Sequence, residues 1–169
     1  VEPLTGLKNR EYFDKIAQEK IAESQADKSG RRHLALVLLD LDHFKDVNDT
    51  FDHEMGNMVL QRVAQVMRDN VREGDLVSRW GGDEFALILQ TDDALVDGKP
   101  SVTPAGWSRV PLKRILLAIR YDAWIDKNTS PIRNKVTVSI GAVEYNPLGN
   151  GRVDLNPSAT PMNEQKRLL

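Results

Sequence analysis

The run LALVLLDL, residues 34–41, constrains the fold more than any other stretch of this chain. It is strand length, nearly free of polar side chains, and ends in acids, with Asp40 inside it and Asp42 directly after it. A strand with one wet face alternates, whereas a continuous apolar run of this length predicts a strand covered on both faces and central in a sheet. The sheet therefore needs covering helices, and the flanking sequence supplies them. In EYFDKIAQEKIAESQ the residues Tyr12, Phe13, Ile16, Ala17 and Ile21 recur at helical spacing. EMGNMVLQRVAQVMRDNV sets Val59, Val63, Val66 and Met67 on one helical face. VPLKRILLAIRYDAWIDK opens with Pro111 at a first-turn position and directs Leu112, Ile115, Leu116, Ile119 and Trp124 inward.

A second strong signal is SRWGGDEFALILQ, residues 78–90. Strand formers flank the glycine pair on both sides, which predicts a hairpin with Asp83 and Glu84 at its tip. KVTVSIGAVEY alternates cleanly and predicts a further strand, while HFKDVNDTFDH reads as a short helix and loop. The segment from Thr91 to Ser108 reads as a surface connection, and the chain beyond Tyr145 as mostly loop. The predicted order is helix, strand, helix, hairpin, helix, strand: an α+β sheet with helices packed on it. With 169 residues, 40% of them apolar, the expectation is one domain over residues 1–169, with 146–169 an atypical tail.

Composition narrows the function. A net charge of −2 provides no basic field for nucleic acid. The absence of cysteine excludes disulfides, thiolate metal sites and cysteine nucleophiles, and fits the cytoplasm. The longest apolar run is far too short to span a bilayer and no signal peptide precedes it, so no membrane contact is expected from this segment.

The chemistry lies in the acids. Asp42 alone has a bland reading as a helix cap. Asp40 is different, because a carboxylate ending a buried strand needs a partner and its own strand end offers no Lys or Arg. If that strand pairs beside the hairpin, Asp40 and Asp83 or Glu84 converge from two elements, an arrangement suited to a hard divalent ion with oxygen ligands and phosphate oxygens. An EF-hand is excluded by the lack of Gly at the sixth loop position, and DGKPS lacks the glycine spacing of a Walker A loop.

RWGGDEF (residues 79–85), DLDHFKDVND (40–49), LTGLKNR (4–10) and VSIGAVEY (138–145) together resemble the GGDEF family, the diguanylate cyclases of bacteria. The likeness covers roughly residues 2 to 145, in the family's order. It implies a fold similar to polymerase palms and nucleotidyl cyclases, a central mostly antiparallel sheet flanked by helices. It implies an enzyme that joins two GTP molecules into cyclic di-GMP and releases two pyrophosphates, acting as a homodimer in which each half-site holds one GTP. By the resemblance, Asp40, the backbone carbonyl of Leu41 and Asp83 hold Mg²⁺ or Mn²⁺, with Glu84 beside them, and Asp83 or Glu84 helps deprotonate the attacking 3′-hydroxyl. Amides near Phe44 and the Lys45 side chain face the triphosphate, Asn48 contacts guanine, and Gly81 and Gly82 let backbone approach a phosphate. Arg72 and Asp75 match the R-x-x-D site where product inhibits.

The sequence also departs from the family pattern. Where GHxxGD is usual this chain reads DHEMGN, with Asp52 for Gly and Asn57 for the acid that reads guanine. An amide loses the charge-assisted match to two guanine donors. Glu2 stands for the usual Asp of the opening motif. The closing helix, similar to ADxALYxAKxxGRN, is not found after Val143, and the late pair Lys166 and Arg167 receives no role. The expected picture is an excised catalytic module whose upstream sensory domain lies outside this sequence. The alternative is a degenerate domain that senses GTP or cyclic di-GMP without turnover.

Overall fold

In the computed structural model, described over residues 1–27, 29–92, 95–96, 99–100, 106–121, 136–145 and 153–155, the apolar run becomes the middle strand of a sheet. In chain order the elements are α1 (Arg10–Ala26), β1 (Arg32–Leu41), α2 (Phe44–Thr50), α3 (His53–Asn70), β2 (Leu76–Gly81), β3 (Glu84–Asp92), β4 (Leu95–Val96), β5 (Lys99–Pro100), α4 (Arg109–Tyr121), β6 (Val138–Tyr145) and β7 (Val153–Leu155). The main sheet has the order β2-β3-β1-β6-β7, and every pairing in it is antiparallel. The α+β class and the helix-strand order expected from sequence are present. Two features were missed. β4 and β5 form a separate small ladder inside the expected surface connection, and β7 pairs with β6 beyond Tyr145. Strands of two or three residues carry no readable periodicity, so only pairing reveals them.

One face of the sheet is closed by α3 and α4. Val59, Val63, Val66 and Met67 of α3, with Leu112, Ile115 and Ile119 of α4, share a buried cluster with Val37, Leu39 and Leu41 of β1 and Leu87 and Leu89 of β3. Each such side chain removed from water contributes roughly 1.5–3 kcal/mol, which makes this face the main source of stability. Glu144, buried on β6, ties the start of α4 to the sheet: its carboxylate accepts from the amides of Gly106 and Ser108, each at 2.7 Å. Those amides belong to the turn that leads into the helix, and have no other partner among the described residues.

The other face is covered by α1, through Phe13 and Ala17 against Leu34, Ala86 and Ile88. Asn9 caps this helix, its side chain accepting from the Tyr12 amide at 3.1 Å. Tyr12, expected on the apolar stripe, is instead 39% exposed, with the Lys8 ammonium 4.6 Å from its ring centroid. Coverage also ends earlier than the sequence implied. Leu38 in mid-sheet is 48% exposed, so β1 is not covered on both faces along its whole length. Trp124 and the Lys166–Arg167 pair lie outside the described residues.

Candidate active site

The acids meet at the end of the central strand. Asp40 is the register partner of Glu84 across β1 and β3 and of Ser139 across β1 and β6. The Leu41 amide donates to the Asp83 carbonyl at 3.3 Å, so the strand end and the hairpin turn are joined directly. Asp40, Asp83 and Glu84 have no ion-pair partner among the described residues. Partial desolvation at the strand end, and then the charges of Asp83, Glu84 and Asp42, hold the Asp40 carboxyl above its ordinary range. Among the described residues no three His, Asp or Glu side chains form a metal group by themselves. The donor set offered here is a carboxylate at the end of β1, a carboxylate from the hairpin turn and backbone oxygen, which suits a hard cation whose remaining positions are filled by a ligand.

Asp42 does not cap α2. Its backbone amide donates to the Thr137 carbonyl at 2.9 Å, and its carboxylate accepts from the hydroxyls of Thr137 (2.7 Å) and Ser139 (2.6 Å). The acid thus locks β1 to β6, a role visible only once the register is known. The cap position belongs to His43, in the left-handed region at φ 56°, with no side-chain cap bond. A non-glycine residue there costs about 1 kcal/mol. The turn lets the chain leave the strand and enter α2 at once. Phe44 is half-buried, while Lys45 is exposed and pairs with no acid among the described residues.

The hairpin carries its own irregularity. Register shifts between Arg79 and Gly81, leaving Trp80 bulged and Gly82 and Asp83 as the connecting pair. Bulges re-aim neighbouring side chains and often border functional sites. Neither Gly81 nor Gly82 has a positive φ. A β-carbon at Gly82 would meet nothing within 4 Å, and one at Gly81 only the Glu84 carboxylate at 3.6 Å. Nothing in the fold therefore demands glycine at either position.

Sequence reasoning missed how the turn is held. Arg79 donates to the Gly82 carbonyl from Nε (3.1 Å) and a terminal nitrogen (2.7 Å), and its other nitrogen reaches Glu2 at 2.8 Å. Glu2 also accepts from the amides of Leu4 and Thr5 and from the Thr5 hydroxyl. Burial alone would raise the Glu2 carboxyl. The hydrogen bonds from Thr5 and Leu4 and the Arg79 charge outweigh it, leaving the group below its usual range. Trp80 is anchored in turn by Phe13, edge to face at 5.7 Å, and by the Arg10 guanidinium 4.6 Å from its ring centroid.

The remaining candidates lie elsewhere. Asn48 of α2 is half-buried beside Gly56, and Asn57 is exposed near the start of α3. Arg72 and Asp75 sit at the far end of β2, six residues long, from the Gly-Gly turn. The Asp75 carboxylate accepts from the amides of Arg72 (2.9 Å) and Gln90 (3.0 Å), so it shapes its own turn and pins β3. The Arg72 side chain is exposed and pairs with no acid among the described residues.

A family model described as diguanylate cyclase, GGDEF domain, matches residues 1–97. This chain belongs to the GGDEF domain family. Diguanylate cyclase DosC of Escherichia coli (strain K12) is 40% identical over 89 residues, 53% of this chain and 19% of DosC. Diguanylate cyclase SiaD from Pseudomonas aeruginosa, solved with its activator SiaC, matches with TM-score 0.66 and 34% identity over 85% of this chain and 49% of that one. The coiled coil and GGDEF domain of DgcB from Caulobacter crescentus, solved with c-di-GMP, matches with TM-score 0.69 and 28% identity over 87% of this chain and 70% of that one. The chain spans between 13% and 35% of the length of the curated relatives it matches.

Within this GGDEF domain two departures have local reasons. Asp52 takes the N-cap of α3, accepting from the Met55 amide at 2.8 Å, which replaces glycine's freedom with a hydrogen bond. Glu2 reaches Arg79 as well as its own turn, so the longer acid serves as a brace. Nothing in the structure explains Asn57.

Proposed function

We propose that this domain is a metal-dependent diguanylate cyclase, working as a homodimer that joins two GTP molecules into cyclic di-GMP. The observation that carries the reading is the uncompensated carboxylate cluster of Asp40, Asp83 and Glu84 beside a Gly-Gly turn that the fold itself does not require. Asp40, the Leu41 carbonyl and Asp83 would hold Mg²⁺ or Mn²⁺, whose charge would offset that of the triphosphate. Asp83 or Glu84 takes the proton of one nucleotide's 3′-hydroxyl. That oxygen bonds to the α-phosphorus of the other nucleotide as the bond to the bridging β-phosphate oxygen breaks, and pyrophosphate leaves. Lys45 and the amides of Phe44 and Lys45 face the triphosphate, while Asn48 and Asn57 meet the guanine. Gly81 and Gly82 leave the phosphates room to approach the backbone.

Product would bind at Arg72, whose guanidinium is free to take a phosphate or a guanine edge. Asp75 would present the oxygen lone pairs that its backbone bonds leave open. No described helix is long and apolar enough to cross a membrane.

A second reading, a domain that binds GTP or cyclic di-GMP without turnover, is favoured by Asn57, since an amide matches guanine's paired donors less well than an acid. Incubating the protein with GTP and Mg²⁺ and resolving the products by chromatography decides between them. Cyclic di-GMP is the expected product. Bound but unconverted GTP would leave the sensor.

A further inference from the structure

The contact between α2 and α3 closes on one residue with no side chain. A β-carbon at Gly56 would stand 2.0 Å from Asn48 Oδ1, 3.1 Å from its Cγ and 3.2 Å from the Phe44 ring. Side-chain carbons do not come within 3.0 Å of another heavy atom without something shifting, so the Asn48 carboxamide already fills the space a methyl would take. Gly56 is buried inside α3, where alanine is the better helix former, and its φ is not positive. Neither backbone geometry nor helix propensity accounts for glycine here. Phe44 and Asn48, four apart on α2, lie on one face of that helix and both meet Gly56. The Asn48 carboxamide is half-buried and makes no hydrogen bond to the protein among the described residues. It is held by shape, with two donors and an acceptor unspent.

We infer that Gly56 is a positioning residue for base recognition: its missing side chain seats the Asn48 carboxamide in one orientation, so that an incoming base meets a fixed partner. This rests on the guanosine-nucleotide reading above. A side chain at 56 would push the carboxamide out of its seat, and the cost would fall on nucleotide preference.

The test is calorimetric titration with non-hydrolysable GTP and ATP analogues, alongside thermal melting. The proteins are the wild type, Gly56→Ala, Asn48→Ala, the double variant, and Val63→Ala, a buried truncation two turns further along the same helix. The wild type is expected to prefer the guanosine analogue. Gly56→Ala should lose about tenfold or more of that preference through weaker guanosine binding, with adenosine binding unchanged. Its melting point should fall, and the double variant should recover that of Asn48→Ala, because the methyl takes the vacated space. Val63→Ala should melt lower yet keep its preference.

Unchanged preference in folded Gly56→Ala, or an equal loss in Val63→Ala, overturns the inference while leaving the substrate reading intact. A wild type with no guanosine preference overturns both. If Gly56→Ala does not fold, a folded double variant supports the seat, and one equally unfolded overturns it.

Discussion

The two faces of β1 carry nearly the same residues and do different work. On the α3–α4 face Ala35, Val37, Leu39 and Leu41 are all within 2% of complete burial. On the α1 face Leu34 is 1% exposed, Leu36 is half-buried, Leu38 is 48% exposed, and Asp40 is open. Both rows are aliphatic through Leu38 and Leu39, and only the reach of α1 separates a core position from a surface one. Where α1 stops, a hollow of about 280 Å³ opens, bordered by Leu38, Asp40, Trp80, Glu84, Ser139 and Gly141. The closed face stabilises the sheet along its full length, which lets the open end tolerate a group of like charges. The stabilising core and the proposed site are separated by the thickness of one strand.

That separation should show most strongly in a pair of substitutions on β3 and its turn. On the proposed cyclase reading Asp83→Ala is expected to reduce turnover by about 100-fold or more, since a carboxylate that holds the metal is worth several kcal/mol in the transition state. Its melting point should stay at or above that of the wild type. Phe85→Ala, two residues away and fully buried, should instead cost about 3–5 kcal/mol of stability in denaturant titration. A folded Asp83→Ala protein with undiminished turnover would remove Asp83 from the site.

A smaller effect is expected where the open end is braced. The Arg79 side chain is only 13% exposed and joins Glu2 to the Gly82 carbonyl. Arg79→Ala removes both donors to the Gly82 carbonyl and the charge beside Glu2, which keeps its Leu4 and Thr5 donors, and should cost about 1–3 kcal/mol. Hydrogen exchange should quicken at the turn amides and leave the α3–α4 face protected. Faster exchange spread evenly over both faces would mean that the brace serves the whole fold rather than the turn.

Much of this arrangement was legible in the sequence. A continuous apolar run placed β1 in the middle, and alternation around two glycines announced the hairpin. Acids at the ends of both segments pointed to one site because antiparallel pairing brings such ends together. The unread parts depend on relations between elements. Whether Leu38 is covered depends on where α1 ends in space, which its own periodicity does not specify. Asp42 looked like a cap until the register of β6 supplied Thr137 and Ser139. The partnership of Glu2 with Arg79 spans most of the described N-terminal half of the chain and has no local signature. Gly56 reads as an ordinary helical glycine until α2 is laid against it.

The smallest expected effect concerns the sign of the charge at the open end. Partial desolvation, reinforced by Asp83, Glu84 and Asp42, raises the Asp40 carboxyl above its ordinary 3.8, so ionising it costs more in the folded protein than in the unfolded chain. That cost is absent below the ordinary value and grows as pH rises through the folded one. Asp40→Asn should therefore melt higher than the wild type at neutral pH, by about 0.2–1 kcal/mol on the scale of exposed charge pairs, and the difference should vanish on acidification. Glu2 runs the other way. Its carboxyl lies below the ordinary 4.5, so it contributes stability above that value and loses it as pH falls through the folded one. Glu2→Gln should then melt lower at neutral pH and converge with the wild type in acid. Added Mg²⁺ should raise the melting point of the wild type more than that of Asp40→Asn, because the variant lacks the β1 carboxylate that would share the ion with Asp83. An Asp40→Asn protein that melts at or below the wild type at neutral pH would show that these acids are already compensated, and the open face would lose its claim to a cation.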